Sequence, residues 1–211
     1  MKKYIVEFIG TFFLVLTIVL TVNGNAGVMA PLAIGGILMV MVFAGRHISG
    51  AHFNPAVTFA IWIRGECKAS DIPGYMTGQV LGGVLASFVA KYLLDFIPGA
   101  AGITTGGGFD IIGGTLAEFL GTFALVWVVL NVATAKSTEG NSFYGIAIGF
   151  TIMACAYALG GVTGGAFNPA VAMGISVIGM TAWSNFAAFL IGQFAAGATA
   201  AFTFKFINGT D

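Results

Sequence analysis

The fold is decided by a nine-residue stretch that occurs twice, SGAHFNPAV at residues 49–57 and TGGAFNPAV at residues 163–171. The two copies share Gly, Phe, Asn, Pro, Ala and Val in register. Their central asparagines, Asn54 and Asn168, lie 114 residues apart (168 − 54), just over half of the 211-residue chain. Each copy lies between long apolar segments, so it interrupts sequence that is typical of membrane depth. The chain is therefore predicted to consist of two related halves.

Composition places the chain in a membrane. Hydrophobic residues make up 58% and charged residues only 8%, and the mean hydropathy is +0.97, whereas soluble domains carry about 25% charged residues. Eight basic residues balance eight acidic ones without a basic patch for nucleic acid. Two cysteines, Cys67 and Cys155, are too few for a disulfide framework. We predict a single membrane domain over residues 1–211, with repeats at about 1–97 and 110–211.

The lengths of the apolar segments predict the helices. A spanning helix needs about 20 mostly apolar residues, and two further segments, which follow the motifs at 55–63 and 169–178, have about half that length. We predict an all-α membrane protein with six transmembrane helices and two re-entrant half-helices. The six segments of spanning length are 4–22, 30–48, 74–94, 112–132, 143–160 and 182–206.

The repeat extends beyond the motif. EFIGTF at residues 7–12 matches EFLGTF at 118–123, and the Gly-Gln pair at 78–79 matches the pair at 192–193. Three spans in each half is an odd number, so the second half must enter the membrane from the opposite face. This predicts an inverted 3+3 repeat, in which the interrupted segments point at a site near the middle of the membrane.

Basic residues predict the orientation. With six spans, seven of the eight Lys and Arg residues fall on the side of the N-terminus, and Lys91 is the exception. Short cytoplasmic loops carry an excess of Lys and Arg. We therefore expect a multi-pass protein of the cell (inner) membrane with both termini in the cytoplasm.

Each motif has the chemistry of a helix start. Asn is a preferred N-cap and Pro suits the first helical position. Non-helical backbone at membrane depth is tolerated where it is buried in protein or lines a watery cavity. Inverted symmetry brings the two helix N-termini together, and each carries roughly half a positive charge. Asn54 and Asn168 can cap these helices and still offer NH₂ donors to the lumen, which predicts a passive pore for small neutral molecules.

The paired motifs, in register with a repeat over the whole chain, resemble the aquaporin and aquaglyceroporin family. The resemblance implies six tilted helices with two re-entrant half-helices, and one pore in each protomer of a homotetramer. It implies passage of water and small neutral solutes, with no cofactor, no metal, no nucleic acid and no enzymatic activity. The pore motifs are Asn54, Pro55, Ala56, Asn168, Pro169 and Ala170.

Buried polar residues accompany the motifs. Carboxylates within a membrane are suspected of function by default, but the resemblance implies that Glu7 and Glu118 brace the re-entrant loops. A pore-lining transport role is the alternative. Gln79 and Gln193 resemble similar braces. His52 is interpreted as a loop brace in preference to a titrating gate.

A departure from the family concerns the selectivity constriction. The family usually has Arg after the second motif, whereas this chain has Val171. The resemblance places the other constriction residues at Ile34, Ala156 and Gly165, which predicts a wide, apolar ring. Urea, glycerol, ammonia and hydrogen peroxide then become candidate solutes, and exclusion of protons and cations depends more on the two helix N-termini. Alternatively, Val171 packs against a neighbour and carbonyl groups or water beside Gly165 narrow a water-selective pore.

Other classes of protein share some of these features. An inverted repeat with broken helices also fits a coupled secondary transporter, but Glu7 and Glu118 are the only acids within the spans and both are interpreted as braces. A structural junction made of stacked tetramers would show negligible permeability. An enzyme would need a cluster of reactive groups, which the two histidines do not form.

Overall fold

The computed structural model describes residues 1–103 and 106–209, and the described part is helical without strands. Six long helices and two short ones make up the architecture, in the predicted order. The six long helices are long and apolar enough to cross a membrane. The helices are α1 Lys2–Asn23, α2 Ala30–Ser49, α3 Pro55–Arg64, α4 Ile72–Leu94, α5 Ile111–Ala133, α6 Tyr144–Thr163, α7 Pro169–Val177 and α8 Phe186–Asn208.

The observed helix ends differ from the predicted ones by up to four residues. α6 continues past the predicted end at residue 160 to Thr163 and stops at Gly164, whose φ is +91°. α2 stops in the same way at Gly50, whose φ is +86°. Left-handed backbone of this kind suits glycine and ends a helix. α8 begins at Phe186, because Trp183–Asn185 forms a 3₁₀ turn ahead of it.

The two halves of the chain interlock through their short helices. α1 packs on α4 in the first half, and α5 packs on α8 in the second. The short helix α3 packs more extensively against α8 than against its own α4, and α7 likewise packs against α4 more than against α8. Each re-entrant helix is therefore held by the other half, which places the two helix starts at the centre of the molecule.

Glycines allow the close approaches on which this arrangement depends. A Cβ on Gly35 of α2 would lie 2.6 Å from the carbonyl oxygen of Gly149 on α6, and the reverse distance is 2.5 Å. Gly83 and Gly197 lack the Cβ that would lie 2.8 and 2.9 Å from carbonyl oxygens at the starts of α7 and α3. Small residues of this kind permit close helix packing in membranes, so these four positions set the spacing of the elements around the motifs.

Candidate functional site

Both motifs start a short helix in the same way. The backbone N–H groups of Ala56 and Val57 donate to Oδ1 of Asn54 at 2.9 and 3.4 Å. The N–H of Ala170 donates to Oδ1 of Asn168 at 2.9 Å. The two asparagines have nearly identical extended backbone angles, φ −157° and −161°. Each asparagine thus caps its helix with its side-chain oxygen.

The two motifs are also joined to each other. Nδ2 of Asn54 donates to the carbonyl oxygen of Phe167 at 2.9 Å, and Nδ2 of Asn168 donates to that of Phe53 at 2.8 Å. Both phenylalanines have φ of +49°, a conformation that is rare for bulky residues and persists where surrounding contacts impose it. An amide NH₂ has two hydrogens, so each asparagine keeps one for the lumen. The donors are predicted from the sequence, whereas the cross-links are evident only from the structure.

Glu7 is fully buried, and its carboxylate accepts four hydrogen bonds. Oε1 accepts from Oγ of Ser49 at 2.7 Å and from the backbone N–H of His52 at 3.0 Å. Oε2 accepts from the backbone N–H of Phe53 at 2.6 Å and from Nε2 of Gln79 at 2.7 Å. Glu7 therefore holds the loop ahead of α3 through two backbone N–H groups of the loop and through the hydroxyl of Ser49, which precedes it.

Glu118 repeats this arrangement in the second half. Its carboxylate accepts from Oγ1 of Thr163 at 2.6 Å and from the backbone N–H groups of Ala166 and Phe167 at 3.0 and 2.7 Å. The fourth donor is Nε2 of Gln193 at 2.8 Å. Four donors occupy the acceptor capacity of a carboxylate. We refer to each carboxylate with its four donors as a brace, and both braces lie behind the loops.

Beyond the brace, the first half carries polar contacts that the second half lacks. Oγ1 of Thr58 accepts from Nε2 of Gln79 at 2.9 Å and lies 3.1 Å from Nδ1 of His52. The hydroxyl of Tyr75 donates to the carbonyl oxygen of Ser49 at 2.6 Å, and its ring centroid lies 4.7 Å from that of His52. We call His52, Thr58 and Tyr75 the polar layer. Their counterparts at an offset of 114 residues are Ala166, Ala172 and Phe189.

A narrow cavity runs past both asparagines. Its volume of about 50 Å³ is room for only a few water molecules. Two helices line it with residues spaced by four, which lie on one face of a helix. These residues are Ile34, Leu38 and Val42 on α2 and Ile148, Ile152 and Ala156 on α6.

All four residues predicted for the constriction line this cavity. We call Ile34, Ala156, Gly165 and Val171 the constriction ring. The ring contains no aromatic and no charged side chain. Val171 is also packed within the apolar core and is 2% exposed. The role of the ring in selecting solutes stays a prediction.

One end of the cavity meets a wider, polar space, which we call the vestibule. The vestibule has a volume of about 630 Å³. It continues the two helical faces, because Arg46 follows Val42 by four residues on α2 and Tyr144 precedes Ile148 by four on α6. His47 lines it as well. Besides Arg46, the charged residues that line the vestibule are Glu66, Lys136 and Glu139.

Metal ligands are not grouped in the described part of the chain, where three or more His, Cys, Asp or Glu residues nowhere converge as they would around an ion. The cavity offers amide donors, backbone carbonyls, the imidazole of His52 and apolar walls. Such a surface can pass or reject molecules by size and hydrogen bonding.

Comparison with known proteins assigns the family. The family model described as "Major intrinsic protein" matches residues 1–204. A "Glycerol uptake facilitator protein-like 6" of Lactiplantibacillus plantarum is 34% identical over 218 residues, covering 100% of each chain. A "Probable aquaporin NIP4-2" of Arabidopsis thaliana is 32% identical, over 100% of this chain and 76% of the relative. The X-ray structure of the aquaglyceroporin from Plasmodium falciparum shares the fold, with a TM-score of 0.79, 22% identity and coverage of 99% and 95%.

The chain belongs to the major intrinsic protein family. It is an integral, multi-pass membrane protein and a passive channel for water and small solutes, not an enzyme. The predicted fold, six spanning helices with two re-entrant half-helices, is confirmed.

Proposed function

We propose that this channel admits small neutral solutes in addition to water, with urea, glycerol, ammonia and hydrogen peroxide as candidates. The single observation that carries the proposal is the composition of the constriction ring. Pore diameter and the hydrogen-bonding groups that line a pore set selectivity in such channels. A ring of Ile34, Ala156, Gly165 and Val171 has neither an aromatic side chain nor a fixed charge to exclude a solute slightly larger than water.

Charge selection in this proposal belongs to the paired helix starts. α3 and α7 begin at residues that hydrogen-bond across to each other's loop, so their positive dipole ends lie together. A cation in the cavity faces these ends without a carboxylate to stabilise it, because Glu7 and Glu118 already accept four bonds each behind the loops. A neutral solute with a carbonyl or hydroxyl oxygen can accept from Asn54 and Asn168.

We further propose that the vestibule faces the cytoplasm and that the channel assembles as a homotetramer. Support for the orientation comes from Lys2 at the start of α1, Arg46 near the end of α2, and Lys205 near the end of α8. All three lie at the same side of a six-span protein, the side that the positive-inside rule assigns to the cytoplasm. Support for the tetramer is membership of the family. Crosslinking of the purified channel in mild detergent tests the assembly. Crosslinked species up to a tetramer are expected, and the monomer alone would contradict the proposal.

Stopped-flow light scattering of proteoliposomes tests the proposed selectivity. An impermeant sugar gradient reports water flow as shrinkage. A urea or glycerol gradient on the same vesicles reports solute entry as re-swelling after shrinkage. We expect fast shrinkage in both gradients and fast re-swelling in the second.

Each of the other outcomes of this experiment would indicate a different class of function. Fast shrinkage with re-swelling no faster than in empty vesicles would mean a water-selective channel and would overturn the proposal. Negligible permeability to both would indicate a structural junction. Accumulation of a radiolabelled solute against its gradient would indicate a coupled transporter.

A further inference from the structure

The repeat assigns a counterpart to each residue of the constriction ring. An offset of 114 residues relates the two halves in this region, and it defines a second set of four residues at the other end of the same cavity. We call this set the counterpart ring. In the order Ile34, Ala156, Gly165 and Val171, the counterparts are Ile148, Val42, Ala51 and Val57, and all eight residues line the cavity.

The counterpart ring is the bulkier of the two. Val42 stands where the constriction ring has Ala156, and Ala51 stands where it has Gly165. The remaining two positions carry Ile and Val in both rings. The repeat places the two rings on corresponding backbone positions, so the counterpart ring presents more side-chain carbon atoms to the cavity than the constriction ring does.

A polar side chain adds to this difference. His52 is the one described residue that lines both the cavity and the vestibule, so its ring lies where the two spaces meet. Its counterpart in the second half, Ala166, also lines the cavity but ends at Cβ. The junction with the vestibule therefore carries bulkier and more polar side chains than the end with the constriction ring.

The imidazole is held in a fixed position. Nδ1 lies 3.1 Å from Oγ1 of Thr58, and the ring packs against Tyr75. Nε2 makes no hydrogen bond to any described residue, and a Cβ built on Gly50, which lines the vestibule, would lie 3.1 Å from it. Nε2 is thus a polar atom, placed at the junction, that a passing solute can use.

We propose that this channel discriminates among small neutral solutes at the junction with the vestibule, where the bulkier counterpart ring and the imidazole of His52 come together. Thr58 and Tyr75 act as positioning residues for His52. The inference rests on the proposed function, because it concerns solutes that the constriction ring lets through. It adds that the selecting groups lie at the opposite end of the cavity from the ring that sequence reasoning singled out.

A matched pair of substitutions separates the two ends. Ile148→Val and Ile34→Val remove the same methylene from equivalent positions of the two rings. The measured quantity is the ratio of glycerol to water permeability in proteoliposomes by stopped-flow light scattering. We expect Ile148→Val to raise this ratio more than Ile34→Val does, because the bulkier counterpart ring restricts the passage of glycerol more than the constriction ring does.

Removing the imidazole tests the polar part of the inference. His52→Ala keeps the backbone N–H that donates to Glu7 and reproduces the residue type found at Ala166. We expect the glycerol to water ratio to change by about fivefold, the equivalent of one ordinary hydrogen bond. Thr58→Val, which removes the partner of Nδ1, should move the ratio in the same direction, and Thr58→Ser should restore the wild-type ratio. A structural role alone would lower protein yield or thermal stability and leave the ratio unchanged.

The outcomes distinguish this inference from the proposed function. Wild-type channels that pass glycerol, together with a larger effect of Ile34→Val than of Ile148→Val and an unchanged ratio in His52→Ala, would overturn the inference alone. Wild-type channels that pass only water would overturn both proposals. A larger effect at Ile148 and His52 in glycerol-permeable channels supports both.

Discussion

The re-entrant segments 50–54 and 164–168 are anchored alike and differ in the polar side chains that accompany them. Both are held by a buried carboxylate with four donors, and Glu7 and Glu118 make these bonds at distances that agree within 0.1 Å. The polar layer of the first segment, by contrast, is replaced by Ala166, Ala172 and Phe189 in the second. The shared part is what the fold requires of each half. Of the part that differs, His52 lines the cavity and can contact what passes through it.

Removing a carboxylate from the brace should have the largest effect on stability. In Glu7→Gln and Glu118→Gln, an NH₂ group replaces an oxygen and faces N–H donors. A hydrogen bond to a charged group contributes about 1.5–3 kcal/mol, and unsatisfied buried donors add to the loss. We expect each variant to lose about 3 kcal/mol or more, measured by unfolding in mild detergent.

The same pair of variants sharpens the comparison between the segments. The first segment keeps the bond from Tyr75 to Ser49 when Glu7 is changed, whereas the second has Phe189 at the counterpart of Tyr75. Glu118→Gln should therefore be the more destabilised variant. Equal stability of both variants and the wild type would contradict the bracing role.

Overpacking behind the two loops should have the next largest effect. A Cβ on Gly10 would lie 2.1 Å from the ring of Phe53, and one on Gly121 would lie 2.2 Å from the ring of Phe167. We expect Gly10→Ala and Gly121→Ala each to cost about 1–3 kcal/mol. Gly36→Ala is the control, because the corresponding Cβ at Gly36 meets no atom within 4 Å. Unfolding curves in which all three variants match the wild type would show that the loops tolerate displacement of the phenylalanine rings.

The smallest expected effect comes from making the first segment resemble the second. Tyr75→Phe removes the hydroxyl that donates to the carbonyl oxygen of Ser49 and gives the residue type of Phe189. Loss of one ordinary hydrogen bond costs about 1 kcal/mol, which lowers Tm by about 2–4 °C in a chain of this size. Tyr92→Phe serves as the control, since Tyr92 is 65% exposed. A drop in Tm that is the same for both variants would mean that the Tyr75 hydroxyl is not specifically stabilising.

The sequence was informative where residue type alone carries the signal. Apolar length predicted the six spans, and the paired Asn-Pro-Ala motifs predicted two helix starts at the centre. The offset of the repeat also relates the two rings, since Val42 and Ala156 are 114 residues apart, although the prediction from sequence concerned the constriction ring alone.

Other features depend on groups that residue type does not reveal. The bonds from Asn54 and Asn168 end on backbone carbonyls of Phe167 and Phe53, and every residue has a carbonyl. Thr58 gave a weaker signal, a hydroxyl directly after the first motif where the second motif is followed by Ala172. Its contacts with His52 became evident only from the fold.

The most direct test of the account compares wild-type channels with Val171→Arg in one assay. Arg at this position adds a longer side chain and a fixed positive charge to the constriction ring, which in the wild type has no charged side chain. In proteoliposomes under a urea or glycerol gradient, we predict fast re-swelling for the wild type and strongly reduced re-swelling for Val171→Arg, with water-driven shrinkage retained in both. Wild-type vesicles that re-swell no faster than empty ones would contradict the claim that the apolar ring admits solutes larger than water.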